Sequence, residues 1–152
     1  MKTSQNGINF ITKEEGLKLE TYLDVAGLLT IGVGHLVNPD DNLVLGDKIT
    51  YDEAMDFLKS DLLDVERCIA NFIACDINQN QYDALASFIF NCGISAFKTS
   101  TLLKKLNMND FTGAVKEFPK WSKITVKGIK QVHPSLLARR NREAELFNKE
   151  LS

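Results

Sequence analysis

The sequence is short of the features that mark membrane spans, metal centres and disulfide frameworks. No apolar run approaches the roughly 18 residues that a bilayer span requires. The opening MKTSQNGINF has no apolar core, so a secretory signal is not expected. There are 3 cysteines, Cys68, Cys75 and Cys92, an odd number with no metal-ligand spacing. The 2 histidines lie far apart in the chain. No metal and no organic cofactor is therefore implied. The cysteines read either as small core or near-surface thiols or as partners in a regulatory disulfide. No internal repeat or low-complexity tract is present.

What remains is the composition of an ordinary globule. The chain has 152 residues, 44% hydrophobic and 25% charged, enough for one domain with a sizeable core. Net charge is -2, but it is unevenly placed. Residues 1–97 hold 6 Lys+Arg against 15 Asp+Glu; residues 98–152 hold 12 against 5. A basic C-terminal part can attract an anionic polymer such as cell wall or nucleic acid. Alternatively, the two halves attract each other and stay solvated elsewhere.

Periodicity and caps predict a mostly helical chain with one ribbon. A first helix is expected from near Ser4, which can cap, to near Glu15. Two or three short strands are expected between Tyr22 and about Val37, and Asn38 to Asn42 reads as a loop. Thr50-Tyr51-Asp52-Glu53 is a capping box opening a helix of about 20 residues. Its apolar stripe runs through Ala54, Phe57, Leu58, Leu62, Val65, Cys68 and Ile69, interrupted by Asp61. Further helices are expected over Asn80 to Cys92, stopped by Gly93, over Ser100 to Leu106 and over Asp110 to Phe118. Trp121 to Val132 reads as a loop, and Pro134 opens a last helix to about Lys149.

The chemically distinctive stretch is Glu14 to His35, EEGLKLETYLDVAGLLTIGVGH. A carboxylate at a helix C-terminus meets the negative end of the dipole, and partial burial disfavours its charged form. Glu15 thus suits a proton donor, while Glu14 lies about 100° around the helix and faces water. Asp24, on a polar ribbon flanked by Gly27, suits a charged base. Two carboxylates in contrasting environments can divide the work of cleaving a glycosidic bond. Gly32 and Gly34 allow close backbone approach and shape a cleft floor. His35 can serve catalysis or a structural hydrogen bond, and the second is the simpler reading.

The spacing is specific. Glu15-Gly16 is followed by eight residues from the Glu to Asp24, five more to Thr30, then Ile31-Gly32-Val33-Gly34-His35, with Tyr22 two before the Asp. This set closely resembles the catalytic region of the phage-type lysozymes, or endolysins. Gln81 to Asn107 and the ARRNREAELF run near the end resemble the same family's helical lobe. The chain departs from the family where Gly-Leu often precedes the Arg pair. It has His133-Pro134-Ser135-Leu136 there, so sugar contacts at that loop do not carry over.

The resemblance implies an α+β lysozyme-like fold in a single domain over 1–152. It comprises a small β-ribbon lobe (about 16–50), a long connecting helix (about 51–72) and a larger helical lobe (about 73–152 plus 1–15), with a glycan-binding cleft between lobes. It assigns catalysis to Glu15, Asp24 and Thr30, with Thr30 and Asp24 holding the attacking water and inversion at the anomeric carbon. Carboxyl separation decides that outcome. Among Arg139, Arg140 and Arg142, most such residues form surface pairs worth little; the family pattern suggests one, Arg140 for choice, orienting Glu15. Gly32, Gly34, His35 and Arg140 would then support or bind substrate.

The implied reaction is hydrolysis of the β-1,4 bond between N-acetylmuramic acid and N-acetylglucosamine in peptidoglycan, for host-cell lysis. The partner would be the bacterial glycan strand, not nucleic acid. The enzyme would be a monomer without stable membrane insertion, held in the host cytoplasm until a holin pore opens the way to the periplasmic wall. Three rivals stay open. A lytic transglycosylase would use one acid and no water base, and would leave anhydro ends. A non-catalytic wall-binding module would keep the cleft without turnover. An antibacterial effector of similar fold would be told apart by its genomic neighbours.

Overall fold

The computed structural model describes residues 1–151 and divides into two compact units. One comprises Asn9–Leu63; the other comprises Met1–Ile8 and the chain from Asp64 onward. Secondary structure is α+β. In order it is α1 (Gln5–Glu15), β1 (Lys18–Leu23), β2 (Leu29–Gly32), β3 (His35–Leu36), α2 (Tyr51–Phe72), α3 (Gln79–Cys92), α4 (Ile94–Lys98), α5 (Thr101–Asn107), α6 (Phe111–Val115), β4 (Lys123–Val126), β5 (Ile129–Val132) and α7 (Pro134–Asn148). Single 3-10 turns lie at Pro39–Asp41 and Phe118–Lys120.

In the unit Asn9–Leu63, β1, β2 and β3 form one antiparallel sheet in chain order. Tyr22 pairs with Thr30, but Lys18 pairs with Gly32, so four steps along β1 match two along β2. The displaced part of β1 finds a second partner. Thr21 N–H donates to the Asp47 carbonyl at 2.9 Å, Ile49 N–H donates to the Leu19 carbonyl at 2.8 Å, and Glu20 bridges Lys48. A bulge of this kind re-aims the strand without orphaning its backbone groups. It also explains why β1 begins at Lys18, four residues before the expected start. Its burial pattern does not alternate, so the run gives no period-2 signal. The unit's buried apolar residues are Ile11, Ile31, Val33, Ala54, Met55, Leu58 and Leu62.

The predicted capping box is present at the start of α2. Thr50 Oγ1 accepts from Glu53 N–H at 3.1 Å, and Glu53 Oε1 accepts from Thr50 N–H at 3.0 Å. The 22 residues of α2 rise about 33 Å.

The unit of Met1–Ile8 and Asp64 onward is helical around a core of aromatic rings. Phe88, fully buried on α3, meets Phe97 (6.3 Å between centroids), Phe118 (5.6 Å) and Trp121 (5.5 Å), each edge-on. Phe118 continues the cluster to Phe147 of α7 at 5.7 Å. Edge-to-face contacts add to the area these rings bury. The Ser4 cap is realised through Gly7 N–H at 3.1 Å, and the buried Asp83 accepts from Ser4 N–H at 3.0 Å and Gln79 Nε2 at 2.9 Å.

Three differences from the sequence reading are physical. Residues 121–132 are not a loop: β4 and β5 form a hairpin in full antiparallel register, from Lys123 opposite Val132 to Val126 opposite Ile129. Its two-residue turn is Lys127-Gly128, with φ of 51° and 79°. Such turns favour Asn-Gly or Asp-Gly, and a lysine at the first position conceals the signal. Asp110 does cap a helix, but α6 stops at Val115 and a separate turn carries Phe118 ahead of Trp121. The five-residue α4 follows directly on Gly93 and is too short to show a period.

Phe88→Ala should cost about 3–5 kcal/mol, because three rings lose their shared partner and the gap cannot collapse fully. Urea denaturation at fixed m-value checks this; a loss under 1 kcal/mol would show the cluster to be adaptable.

Candidate active site

Glu15, Asp24 and Thr30 all lie in the unit Asn9–Leu63, around its three-stranded sheet. Glu15 is the last residue of α1, half-buried, and Gly16 ends the helix, its N–H reaching the Thr12 carbonyl at 2.9 Å. A Cβ placed on Gly34, in the β2–β3 turn, would lie 3.6 Å from Glu15 Oε1. Gly34 has φ of 67°, a conformation costly for any residue with a side chain. The carboxylate therefore lies against a turn that glycine keeps bare.

Asp24 closes the β1–β2 hairpin. Its Oδ1 accepts from Ala26 N–H at 2.9 Å and Leu28 N–H at 2.8 Å. Its own N–H donates to the Leu28 carbonyl and its carbonyl accepts from Gly27 N–H, both at 2.9 Å. The two amides fix the carboxylate and stabilise negative charge on it. Both fall on Oδ1, and neither engages Oδ2. Thr30, on the central strand, is buried at 3% exposure, and its hydroxyl donates to the Leu28 carbonyl at 2.9 Å. Its cross-strand partner is Tyr22, so those two side chains share a face, with Asp24 two residues further along.

Tyr22 senses the charge of both carboxylates. Its phenol titrates above the ordinary tyrosine value, first through burial, then through the charges of Asp24 and Glu15. Both acids are thus within electrostatic reach of one hydroxyl. Lys18 lies over the Tyr22 ring at 4.4 Å from its centroid, adding one cation beside the phenol. The sequence marks Tyr22 only by spacing; Lys18 carries no signal there.

His35 is held as an ion-pair hub. Its Nδ1 lies 2.8 Å from Asp61 Oδ2, its Nε2 lies 2.8 Å from Asp41 Oδ2, and its ring stacks on Phe57 at 4.3 Å. Both ring nitrogens face carboxylates, which suits the doubly protonated imidazolium. Burial disfavours that charge, yet hydrogen bonds to Asp41 and Asp61 outweigh it and hold the histidine above its usual value. Asp41 shifts the opposite way: burial opposes its charge, but Asn38 N–H and His35 prevail and lower it. Asp61 and Asp41 are the polar partners that sequence reading did not find. Asp61 left one trace, as the polar residue in the apolar stripe of α2.

Comparison with known proteins decides the family. The phage lysozyme pattern matches residues 12–143. The chain belongs to the phage lysozyme family. It is 45% identical over 147 residues to the endolysin of Acyrthosiphon pisum secondary endosymbiont phage 1, covering 97% of this chain and 98% of that one. It is 43% identical over 148 residues to the endolysin of Salmonella phage P22, again covering 97% and 98%. Among solved structures, the muramidase domain of SpmX from Asticaccaulis excentricus superposes with a TM-score of 0.90 at 32% identity, covering 98% of this chain and 99% of that one. This phage lysozyme is accordingly a glycoside hydrolase with the α+β lysozyme-like fold.

The arginines of α7 require a correction. Arg139, Arg140 and Glu143 are not surface pairs; all three are buried, Arg140 and Glu143 at 0% exposure. Glu143 Oε1 lies 2.8 Å from Arg140 Nε, and Glu143 Oε2 accepts from Ser87 at 2.6 Å and Arg139 Nε at 3.2 Å. Arg140 also donates to Asn91 Oδ1 at 2.7 Å and to Cys92 Sγ. The cluster joins α7 to α3. Only Arg142 of the three is exposed. Cys68, Cys75 and Cys92 are free thiols, and burial pushes all three above the usual thiol value. Among the described residues no group of three or more His, Cys, Asp or Glu is placed to hold a metal ion, and no helix is long and apolar enough to cross a membrane.

The His35 hub has a defined pH window. A folded value above the unfolded 6.5 contributes stability that is full below about pH 6.5 and fades as pH rises through the folded value. Asp41, lowered from 3.8, contributes above about pH 4 and loses this as pH falls through its folded value. His35→Asn should therefore cost about 3 kcal/mol at pH 5 and clearly less at pH 9. Urea denaturation of both proteins across this range checks it; a constant difference would contradict the ion-pair account.

Proposed function

We propose that this phage lysozyme hydrolyses the β-1,4 bond between N-acetylmuramic acid and N-acetylglucosamine in peptidoglycan, with Glu15 as general acid and Asp24 as the charged partner. The observation that supports the role assignment is one carboxylate seated against a glycine turn and the other gripped by backbone amides, with both charges raising the Tyr22 phenol. Glycosidic cleavage needs a proton on the leaving oxygen as that bond breaks. Glu15 supplies it from the helix end. Asp24 Oδ2, free of the amide clamp, draws a proton from an incoming water, and that water's oxygen bonds the anomeric carbon. Thr30 positions the water beside Asp24 on their shared face. Attack on the side opposite the departing oxygen inverts the anomeric configuration.

His35 takes no proton in this scheme, because both its nitrogens are already engaged by Asp41 and Asp61. Its work is to brace the strand that follows Gly34. Gly34 keeps the turn close to Glu15, Gly32 lets the end of β2 lie against Ala54, and Arg140 stabilises the α3–α7 pair. The protein acts on the cell wall. Held in the host cytoplasm as a monomer, it reaches the wall once a holin opens the membrane.

Glu15→Gln should lower turbidity clearing of outer-membrane-stripped cells by at least about a hundredfold, with the unfolding midpoint little changed. Asp24→Asn should be severely impaired as well. Near wild-type clearing by either variant would remove that residue from its role. Reducing ends of inverted configuration in the first products, read by NMR, would support the water mechanism; anhydro ends would favour the transglycosylase.

A further inference from the structure

The hairpin β4–β5 reverses the usual pattern of a surface sheet. An antiparallel strand pair normally packs its apolar face on the core and shows its polar face to water. Here the register puts Lys123, Thr125, Lys130 and Val132 on one face and Ile124, Val126, Ile129 and Gln131 on the other. Lys123, Thr125 and Lys130 turn inward and share a groove of their own unit with Trp121 and Leu136. Ile124, Val126 and Ile129 lie on the opposite face, outside that groove, and are 38%, 38% and 64% exposed. The Lys127-Gly128 turn fixes this arrangement, since a one-residue slip would exchange the two faces.

Three branched aliphatic side chains left in water on one ribbon mark a surface that a partner covers. The charge around them says which kind. Residues 118–132 carry four lysines, Lys120, Lys123, Lys127 and Lys130, and no acid. Of these only Lys120 has an acidic partner among the described residues, Glu117 at 2.6 Å. Lys127 stands in the turn itself, next to the opposed pair Val126 and Ile129. Protein partners are held chiefly through Trp, Tyr and Arg anchors, and this face has none. Aliphatic groups rimmed by long ammonium side chains suit an anionic bilayer surface. The aliphatics enter the boundary between headgroups and acyl chains, and the lysines extend to the phosphates.

We propose that the outward face of β4–β5 docks on a bilayer of anionic phospholipid, with Ile124, Val126 and Ile129 entering the interface and Lys123, Lys127 and Lys130 pairing headgroup phosphates. The contact is peripheral, since no helix among the described residues is long and apolar enough to cross a membrane. It holds the protein at a membrane surface and takes no part in bond cleavage, so it does not rest on the peptidoglycan reading above.

The test is co-sedimentation of the full chain with vesicles of phosphatidylcholine, alone or mixed with phosphatidylglycerol. Two variants accompany wild type. Ile124→Thr/Val126→Thr/Ile129→Thr keeps β-branching while removing apolar character. Lys127→Asn removes one charge at a turn position that suits asparagine. Wild type should bind the mixed vesicles at least about tenfold more tightly than phosphatidylcholine alone. On mixed vesicles the triple variant should bind at least about tenfold more weakly than wild type. Lys127→Asn should bind about fivefold more weakly, the factor that one lysine near an anionic surface contributes. Unfolding midpoints show whether each variant keeps the fold; if the triple variant does not, Lys127→Asn and the lipid dependence of wild type decide. No binding of wild type to mixed vesicles, equal binding to the two lipids, or undiminished binding by the folded triple variant would overturn the proposal, the last by showing charge adhesion alone. A wild type that is dimeric in sedimentation velocity while the triple variant is monomeric would also overturn it, because a second copy would then cover the face.

Discussion

The constraint on which the site depends is the bare turn at Gly34. A side chain there would need a backbone conformation it tolerates poorly, and its Cβ would come against the Glu15 carboxylate. Glycine lets the turn pass close beneath the end of α1. The Glu15 carboxylate, the proposed acid, is thus seated by what the sequence omits at one position. The other half of the site follows from the same three-stranded sheet: Asp24 closes one hairpin, and Gly34 lies in the turn of the next. Two successive turns of one sheet thus hold the two proposed carboxylates.

Around this sheet, polar groups do structural work that hydrophobic burial alone would not specify. His35 follows Gly34 directly and is pinned from both sides, by Asp61 on α2 and by Asp41 in the turn after β3. That fixes the strand leaving the bare turn, and with it the surface on which Glu15 rests. The β1 bulge works similarly: it frees Leu19 to Thr21 to pair with residues 47–49, anchoring the return of the chain before α2. In the other unit, Glu143 with Arg139 and Arg140 binds α7 to α3 beneath the aromatic cluster. Buried ion pairs of this kind give modest net stability and hold one arrangement against alternatives, and loss of one partner leaves a stranded charge.

Much of this was legible in the sequence where a local rule applied. The Ser4 cap, the Thr50–Glu53 box, the Gly93 stop and Pro134 at the start of α7 each announce a helix boundary through their own backbone chemistry. The spacing from Glu15 to His35 pointed to the family, and the residues after Gly16 in it answer to turn or strand positions. What stayed hidden depended on long-range contact. Arg139 and Glu143 look like an exposed i,i+4 pair until α3 covers them. Asp61 is a flaw in an apolar stripe until His35 supplies its partner. The β4–β5 hairpin hides behind a lysine in the left-handed region, at a turn position where asparagine would have declared it.

The central claim is that Glu15 and Asp24 share one electrostatic environment around Tyr22. It is tested most directly by following the Tyr22 ring carbon attached to oxygen by NMR as pH is raised, in wild type, Glu15→Gln and Asp24→Asn. Each substitution removes a negative charge that opposes ionisation of the phenol, so each should lower the Tyr22 midpoint, Asp24→Asn by more. A midpoint that stays put in both variants would mean the two acids do not meet there, and the account of the site would be wrong.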